Sequence, residues 1–485
     1  MSASEPIPPP QGDEQLGRLV RRGLSWSLIG VMVGKLTTLV TGIILARLLA
    51  PKDFGVFAVA LVALVIIVNL NDLGLEQCLV RWPGSIAEVA PTAKTIILAS
   101  SVVQFAVLYA VAPYFTQAMH APEATGIVRL LSFGVVINGA FAVPSAVLSR
   151  TFRQDLRTAA DFTGFIVGLG ITVALAVLGW GAWSLAWGRL IGNALNGVLH
   201  AVFARERYHY GLRRDVVRPL VGQGLPLAGL SVIAVAVLNV DNLVVGRVLG
   251  PIELGFYTLA FNLSSWPVSV FAVAVWRVSV PGFARLQTDP ERLRSAFTRS
   301  FGLLMAATLP VCLVLSALAN PLVRFVYGEK WVPAATALSV LAALGALRIG
   351  LQLMTDVLVA VGRGRRAFLL QVVWLAALVP SLTVGARLDG LRGVAIGHVV
   401  VAAGLMLPLH LSALHPLGIS GSALARAAAR PLISTAVAGA VAFALATLGY
   451  RSDFMQLLIV GLATMLVFLI GVAPMRHGLR ALARD

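Results

Sequence analysis

The sequence predicts an all-α membrane protein of 14 transmembrane helices, with two pseudo-symmetric six-helix lobes followed by two extra C-terminal helices. Three observations predict this fold class. Of the 485 residues, 58% are hydrophobic and only 12% are charged, whereas a soluble protein carries about 25% charged residues. The chain contains fourteen apolar stretches, each near the roughly 20 residues that a helix needs to cross a bilayer. One loop sequence also occurs twice, at a separation of 200 residues.

In chain order, the elements begin with a polar, proline-rich segment, residues 1–23, which we expect to be a disordered cytoplasmic tail. The apolar stretch after it has about 22 residues, which is too long for the core of a signal peptide and predicts a first spanning helix. The later loops are mostly short, so neighbouring helices should be antiparallel. The fourteen spans begin near residues 24, 54, 93, 127, 161, 182, 220, 254, 297, 333, 366, 392, 430 and 454.

The distribution of lysine and arginine predicts the orientation of these spans. With the N-terminus in the cytoplasm, the loops and tails on that side hold 25 of the 38 basic residues, the opposite side holds nine, and the spans hold four. Because basic loops stay in the cytoplasm, both termini are predicted to be cytoplasmic. The net charge of +17 does not indicate a nucleic-acid partner, since the basic residues form short clusters between apolar stretches.

The repeated loop reads LARLLAPKDFGVFAVA at residues 45–60 and VGRVLGPIELGFYTLA at residues 245–260. Proline and glycine suit any turn, so each copy alone indicates only a turn. Both copies, however, fall in an outer turn, and six spans separate them, which predicts a parallel duplication. The predicted domains are therefore the N-lobe with spans 1–6, the inter-lobe cytoplasmic linker, the C-lobe with spans 7–12, and spans 13 and 14 with a cytoplasmic C-terminus, at residues 24–203, 204–219, 220–415 and 416–485.

Four basic residues fall within predicted spans, where a charge costs at least about 2.5–3.5 kcal/mol. They are Lys35, Arg189, Arg277 and Arg348. Two of them also have a structural explanation: Arg277 could extend to the inner headgroups, and Arg348 could pair with Asp356 to fix helix packing. Lys35 is central and has no acid within its own helix. A centre richer in cations than in anions favours a phosphate or pyrophosphate ligand, so we expect the four to bind such a group.

Other polar side chains recur at helical spacing within the spans and are predicted to line the same cavity. Asp241 and Asp356 are the acidic candidates, and we expect them to serve in ion coupling. Neither a metal nor another cofactor is expected, since Cys78 and Cys312 match no metal or redox spacing. The predicted polar lining comprises Thr38, Asn193, Asn196, Asn262, Trp266, Ser269 and Gln352.

Several segments resemble, in the same order, a known transporter family. They are WSLIGVMVGKLTTLVTGIILARLLAPKDFG, NDLGLEQCLV, DNLVVGRVLGPIELGFYTLAFNL, PGFARLQTDPERLRSAF, NPLVRFVYGEKWVPAA and GVAIGHVV. From about residue 20 to about residue 415, the chain resembles the polysaccharide or oligosaccharide (O-antigen, Wzx-type) flippases of the multidrug/oligosaccharidyl-lipid/polysaccharide superfamily. It is most similar to members resembling colanic-acid exporters.

The resemblance implies fourteen helices in two lobes, with alternating access that moves an undecaprenyl-pyrophosphate-linked oligosaccharide from the inner to the outer leaflet of the bacterial plasma membrane. It also implies membrane lipid and polysaccharide polymerase machinery as partners. Related lipid II flippases carry basic residues in spans 1 and 8, where Lys35 and Arg277 stand here, and a sodium site with an acid in span 7, where Asp241 stands. Span 11 offers Gln371 but no acid, so sodium coupling, proton coupling and no coupling all stay open.

Three other functions are weighed against a flippase. A multidrug exporter of the same superfamily should carry acids rather than bases in its cavity. A membrane acyltransferase is suggested by LDGLRGVAIGH at residues 388–398, with Arg392 and His398 as its catalytic residues, but that motif normally opens a first span. A polytopic glycan polymerase or ligase usually has a large outer loop. Flipping requires no covalent chemistry, so we expect no enzyme and no catalytic residue.

Overall fold

The computed structural model describes residues 38, 40–68, 75–82, 84–205 and 209–475. All the regular secondary structure of these residues is helical, as the sequence predicts. A π-helical segment, Val400–Met406, joins α13 to α14. The helices are α1 (40–48), α2 (Pro51–Val68), α3 (Leu75–Arg81), α4 (Ile86–Ala118), α5 (Thr125–Arg150), α6 (Gln154–Val177), α7 (Ala182–Ala204), α8 (Arg214–Val248), α9 (Pro251–Arg285), α10 (Pro290–Ala317), α11 (Ala319–Tyr327), α12 (Ala334–Ala360), α13 (Gly364–Val399), α14 (Leu407–Leu414), α15 (Gly421–Ala446) and α16 (Asp453–Val472).

Eight helical segments within the described residues are long and apolar enough to cross a membrane. One of them, Gly364–Leu417, is longer than a single span needs. Its helix α13 is two helices, because Asp389 (φ −146°) and Gly390 (φ 52°) break the helical backbone. The chain is therefore a multi-pass, all-α membrane protein, and the count of fourteen spans stays a prediction. The eight segments are Ile86–Ala118, Pro122–Arg150, Gln154–Val177, Pro290–Ala317, Ala334–Ala360, Gly364–Leu417, Gly421–Ala446 and Asp453–Val472.

The chain divides into two compact units. Unit 1 comprises Met1–Leu49, Ala60–Gln117 and Pro122–Val235, and unit 2 comprises Ala50–Val59, Ala118–Ala121 and Ala236–Asp485. Within α8 the division falls between Val235 and Ala236. Each unit has its own packing pattern.

Unit 1 is held together by glycines on α6 and α7 that let the two helices touch. A Cβ on Gly164 would stand 2.7 Å from the Gly192 carbonyl oxygen, and one on Gly168 would stand 2.6 Å from the Gly188 carbonyl oxygen. On each helix the two glycines are four residues apart, which is the small-xxx-small pattern of close membrane helix pairs. The side chain of Thr172 then covers Gly188. Backbone contact, rather than large side chains, fixes this pair.

The short helix α3 is anchored in unit 1 by Arg150, the last residue of α5. The Arg150 guanidinium donates hydrogen bonds to the carbonyl oxygens of Leu79 at 3.0 Å, Trp82 at 2.7 Å and Gly84 at 2.8 Å. The first of these carbonyls lies in the last turn of α3, where helical carbonyls lack intrahelical partners and favour a cation. Arg150 of α5 therefore caps the C-terminal end of α3.

In unit 2, helix α12 is the central element. Of its 27 residues, 18 are buried, and it packs against α9, α10 and α13. Before α12 begins, Trp331 is fully buried with its ring edge-on to two phenylalanines. The ring centroid of Trp331 lies 5.1 Å from that of Phe54 and 5.9 Å from that of Phe256. This loop residue therefore links the starts of α2 and α9.

The two copies of the repeated loop contact each other in unit 2. Gly55 and Gly255 occupy equivalent positions in the repeat, and each packs against the turn of the other copy. A Cβ on Gly55 would stand 1.7 Å from the Pro251 carbonyl oxygen, and a Cβ on Gly255 would stand 2.3 Å from the Pro51 carbonyl oxygen. The repeated Pro-x-acidic-x-Gly sequence therefore forms a reciprocal helix contact, in which each glycine admits the other copy's backbone. Only glycine leaves room for this approach.

A second repetition lies further along the chain, at an offset of 209 residues. Before α7, Gly181 has φ 52° and ψ −130°, and in the α13 turn Gly390 has φ 52° and ψ −134°. After each turn the next helix makes a close backbone approach at a matching glycine, Gly188 in unit 1 and Gly397 in unit 2. The two units thus repeat this turn and the helix that follows it.

Candidate functional site

Three polar side chains from three helices of unit 2 meet in a buried cluster. The Tyr257 hydroxyl donates a hydrogen bond to Asp241 Oδ2 at 2.9 Å and lies 3.1 Å from His398 Nε2. His398 Nε2 lies 3.7 Å from the same carboxylate oxygen. Asp241 is 1% exposed, Tyr257 is fully buried and His398 is 8% exposed. We call these residues, together with Arg348, the Asp241 cluster.

Arg348 supplies the positive charge of the Asp241 cluster from the central helix α12. Its guanidinium interacts electrostatically with Asp241 and Tyr257. Its Cζ atom lies 5.1 Å from the ring centroid of Phe261, in cation–π geometry. The Phe261 ring in turn stacks on Tyr257 at a centroid distance of 5.9 Å. A carboxylate, an aromatic face and a guanidinium therefore compensate one another, as buried charges require.

The backbone places three members of the cluster at one depth. Asp241 lies eight residues before Leu249 in the turn between α8 and α9, and Tyr257 lies eight residues after it. His398 lies eight residues after Gly390, the turn residue of α13. With a rise of 1.5 Å per residue, each side chain starts about 12 Å from its turn. Equal spacing from two hairpin turns brings residues that are distant in sequence to one level.

The hydrogen bonds of the cluster also set where its protons lie. A tyrosine hydroxyl can donate one hydrogen bond, and that of Tyr257 donates to Asp241. His398 Nε2 must then donate to the Tyr257 oxygen, since that contact needs a proton of its own. In the neutral imidazole the other nitrogen, Nδ1, then carries no proton. The two hydrogen bonds of Tyr257 therefore select one tautomer of His398.

A second polar group lies on α12, beyond Arg348. Gln352 Nε2 donates a hydrogen bond to Asp356 Oδ1 at 2.8 Å, while Asp356 Oδ2 is buried and has no hydrogen-bond partner among the described residues. Beside it, Thr355 Oγ1 lies 3.1 Å from Nε2 of the fully buried His410. The polar face predicted for this helix thus divides between the Asp241 cluster and the Gln352–Asp356 pair.

In unit 1, part of the predicted polar stripe on α7 binds an acid of α6. Asn196 Nδ2 donates a hydrogen bond to Asp161 Oδ1 at 2.7 Å, and His200 Nε2 lies 3.4 Å from the same oxygen. Arg189, earlier on the same helix, is exposed, and Asn193 is half-buried. The polar side chains of this stripe therefore range from an exposed arginine to a histidine held beside a carboxylate.

The remaining predicted site residues are exposed, buried or outside the part of the chain that the structure describes. Thr38 and Asn262 are exposed, and the indole nitrogen of Trp266 is buried with no hydrogen-bond partner among the described residues. Lys35 lies outside the described residues. The side chains of Arg277 and Ser269, in α9, lie outside them as well.

The sequence prediction of the site missed Tyr257 and assigned His398 only to an acyltransferase motif. Within the described part of the chain, no group of three or more His, Cys, Asp or Glu side chains could hold a metal ion. A hydrogen-bonded and ionic cluster is thus the arrangement that the described residues of unit 2 offer.

The fold is one that helical membrane proteins of known structure share. The chain superposes on the structure of the lipid II flippase MurJ in its inward-closed conformation with a TM-score of 0.78 and 14% identity, over 94% of this chain and 99% of that chain. Residues 44–336, more than half of the sequence, match the family described as "Polysaccharide biosynthesis protein". The chain belongs to this family, and the resemblance seen in the sequence is confirmed.

Two curated relatives are similar to the chain over most of its length. The lipopolysaccharide biosynthesis protein WzxC of Escherichia coli (strain K12) is 25% identical over 385 residues, covering 78% of this chain and 77% of the relative. The succinoglycan biosynthesis transport protein ExoT of Rhizobium meliloti (strain 1021) is 27% identical over 378 residues, covering 77% and 75%.

Proposed function

We propose that the protein is a flippase that moves undecaprenyl-pyrophosphate-linked oligosaccharide units from the inner to the outer leaflet of the bacterial plasma membrane, for cell-surface polysaccharide biosynthesis. The observation that carries this proposal is membership of the polysaccharide biosynthesis family across residues 44–336. The relatives' names and the fold support it. Transport by alternating access is supported by the two repeats, since duplicated halves are common in transporters that rock between two states.

Recognition of the pyrophosphate is assigned to Lys35, Arg277, Arg189 and Arg348. Guanidinium and ammonium groups bind phosphate oxygens through charge-assisted hydrogen bonds. The exposure of Arg189 supports its part in this role. Arg348 has a further role, because its charge also acts on Asp241. The polar lining residues are assigned to contacts with the sugars and with water.

Coupling to a proton is assigned to the Asp241 cluster. Histidine is the side chain whose ordinary pKa lies nearest neutrality, and His398 is hydrogen-bonded to Tyr257 and close to Asp241. A proton on His398 would turn the contact with Asp241 into an ion pair and compete with Arg348 for the same carboxylate. Because His398, Tyr257 and Arg348 come from α13, α9 and α12, this exchange would change how three helices of unit 2 are held. Asp356 is assigned a secondary role in ion coupling, because its Oδ1 accepts a hydrogen bond from Gln352 while its Oδ2 has no hydrogen-bond partner among the described residues.

A reconstituted flipping assay tests the transport proposal. Purified protein in liposomes should expose a lipid-linked oligosaccharide to a sugar-modifying enzyme outside the vesicle. The Lys35→Ala/Arg277→Ala variant should flip about 100- to 10,000-fold more slowly, because each of the two charge-assisted contacts contributes about 1.5–3 kcal/mol. The matched control is Arg365→Ala/Arg366→Ala, which removes two exposed charges from the start of α13. Wild-type flipping in the first variant would refute the charge assignment, and no flipping by the wild-type protein would refute the transport proposal.

A pH gradient across the same liposomes tests the coupling. Wild-type flipping should accelerate under an imposed gradient, and Asp241→Asn and His398→Gln should each abolish the acceleration. His415→Gln, which alters an exposed histidine, is the control. If the wild-type rate responds to a sodium gradient and not to a pH gradient, proton coupling is wrong even though the flippase assignment stands.

A further inference from the structure

A basic cleft in unit 2 shares no residue with the Asp241 cluster and lies between the N-terminal halves of α10 and α15. Its volume is about 710 Å³. Deep in the cleft the two helices touch, because a Cβ on Gly302 would stand 3.0 Å from the Ala427 carbonyl oxygen. The cleft is lined by Arg294, Ser295, Thr298, Arg299, Gly302, Leu303, Gly418, Ser420, Ala423, Arg426 and Ala427.

The lining matches the chemistry of an anionic phosphate ester. Three guanidiniums, those of Arg294, Arg299 and Arg426, share one cleft with three hydroxyl side chains. None of the three arginines forms an ion pair with any residue that the structure describes. The nearby acid Asp289 is engaged with Arg292, at 3.2 Å, and caps α10. Several convergent donors with no carboxylate to neutralise them favour phosphate oxygens.

Exposed apolar side chains continue from the cleft along α15. Ile433 and Val437 follow Arg426 by seven and eleven residues, so the three share one helix face. Ile433 is 64% exposed and Val437 is 53% exposed. A ligand with a charged headgroup and a hydrocarbon chain would contact both the basic cleft and the apolar face of α15. A free phosphate ion would contact only the cleft.

The predicted orientation places this cleft at the inner leaflet. Several arginines lie at or near the start of α10 and of α15, and the positive-inside rule assigns these basic segments to the cytoplasm: Arg285, Arg292, Arg294, Arg299, Arg426 and Arg430. Anionic phospholipids of that leaflet are attracted to basic pockets between transmembrane helices. We propose that this cleft binds the phosphodiester headgroup of an anionic phospholipid, with the acyl chain along Ile433 and Val437. The site is separate from the flipped substrate and goes beyond the proposed function.

Native mass spectrometry of the full-length protein in detergent tests the site. The probe is phosphatidylglycerol, compared with phosphatidylcholine of identical acyl chains. Wild-type protein should retain phosphatidylglycerol preferentially, and Arg294→Gln/Arg299→Gln/Arg426→Gln should bind it about 100-fold more weakly. The matched control is Arg218→Gln/Arg365→Gln/Arg366→Gln, which removes three exposed arginines that are predicted to be cytoplasmic. Equal loss in both triple variants would overturn the assignment to the cleft.

Two further measurements keep the proposal falsifiable if the triple variant does not fold. Ala423→Phe fills the cleft and keeps all three charges, and it should reduce phosphatidylglycerol binding as well. Inorganic phosphate at millimolar concentration should not displace the lipid. Displacement by phosphate would overturn the lipid assignment in favour of a free-anion site. Equal binding of phosphatidylcholine, or binding of a polyprenyl phosphate without phosphatidylglycerol, would overturn it too.

Discussion

Adding one methyl group at Gly55 should destabilise the protein, although glycine-to-alanine changes stabilise most helices. The reason is the reciprocal contact between the two copies of the repeated loop. A Cβ at residue 55 would stand 1.7 Å from the Pro251 carbonyl oxygen, about 1.7 Å closer than an ordinary contact. The obstacle is backbone, which cannot rotate away as a side chain can. The starts of α2 and α9 would have to separate.

The expected cost follows from two opposing effects. Overpacking a close contact costs about 1–3 kcal/mol, while replacing glycine by alanine within a helix gains about 0.5–1 kcal/mol. The net loss for Gly55→Ala is therefore about 0.5–2 kcal/mol. Gly255→Ala should have the same sign and a smaller size, because its Cβ would stand 2.3 Å from the Pro51 carbonyl oxygen. One separation of the helices relieves both contacts, so the double variant should lose less than the sum.

The assay is thermal unfolding of the detergent-purified protein, followed by tryptophan fluorescence. Buried Trp331 lies between Phe54 and Phe256 at this junction and should report the separation directly. The matched control is Gly42→Ala, since a Cβ there meets nothing within 4 Å. A Gly55→Ala variant that melts at or above the wild-type temperature, with unchanged fluorescence, would refute the reasoning.

Three other substitutions have predicted effects, one from a close helix contact and two from hydrogen bonds. Gly168→Val should destabilise unit 1 by about 1–3 kcal/mol, while Gly170→Val, where a Cβ meets nothing within 4 Å, should cost less than 1 kcal/mol by the same melting assay. Arg150→Ala should cost about 1–3 kcal/mol by leaving three carbonyls without their donor, and proteolysis near α3 should accelerate. Tyr257→Phe should cost about 1–3 kcal/mol and abolish any response to a pH gradient, whereas Tyr109→Phe, at an exposed tyrosine, should leave both unchanged.

The repeated loop shows how far the sequence could predict the fold. Composition and span length are local properties, so the all-α membrane class follows from them. The repeat itself could also be recognised, because Pro51 and Pro251, Gly55 and Gly255 agree in register. That the copies touch each other could not be predicted, since proline and glycine suit an isolated turn equally well. Tertiary contact between positions 200 residues apart leaves no local periodicity.

The sequence could predict the candidate site only where a charged residue interrupts an apolar stretch. Asp241 and Arg348 are charged residues within spans, and the cost of burying them draws attention to both. Tyr257 lies in the largely apolar run GFYTLAF and differs from its neighbour Phe256 by one hydroxyl, so composition conceals it. His398 stood in a segment that resembles an unrelated enzyme motif. The equal distances from the turns, which bring Tyr257 and His398 to the level of Asp241, have meaning only once the turns are located.

The second repetition makes Arg189 and His398 equivalent positions, although only His398 joins a buried cluster. The two residues follow matching glycines, Gly188 and Gly397, at the same offset of 209 residues. In unit 1 this position carries an exposed arginine, whose charge is permanent at physiological pH. In unit 2 it carries a buried histidine whose Nε2 lies 3.7 Å from the Asp241 carboxylate. In the proposed function, Arg189 binds the pyrophosphate and His398 belongs to the coupling cluster. Divergence at this one repeated position would then place the two roles in different units.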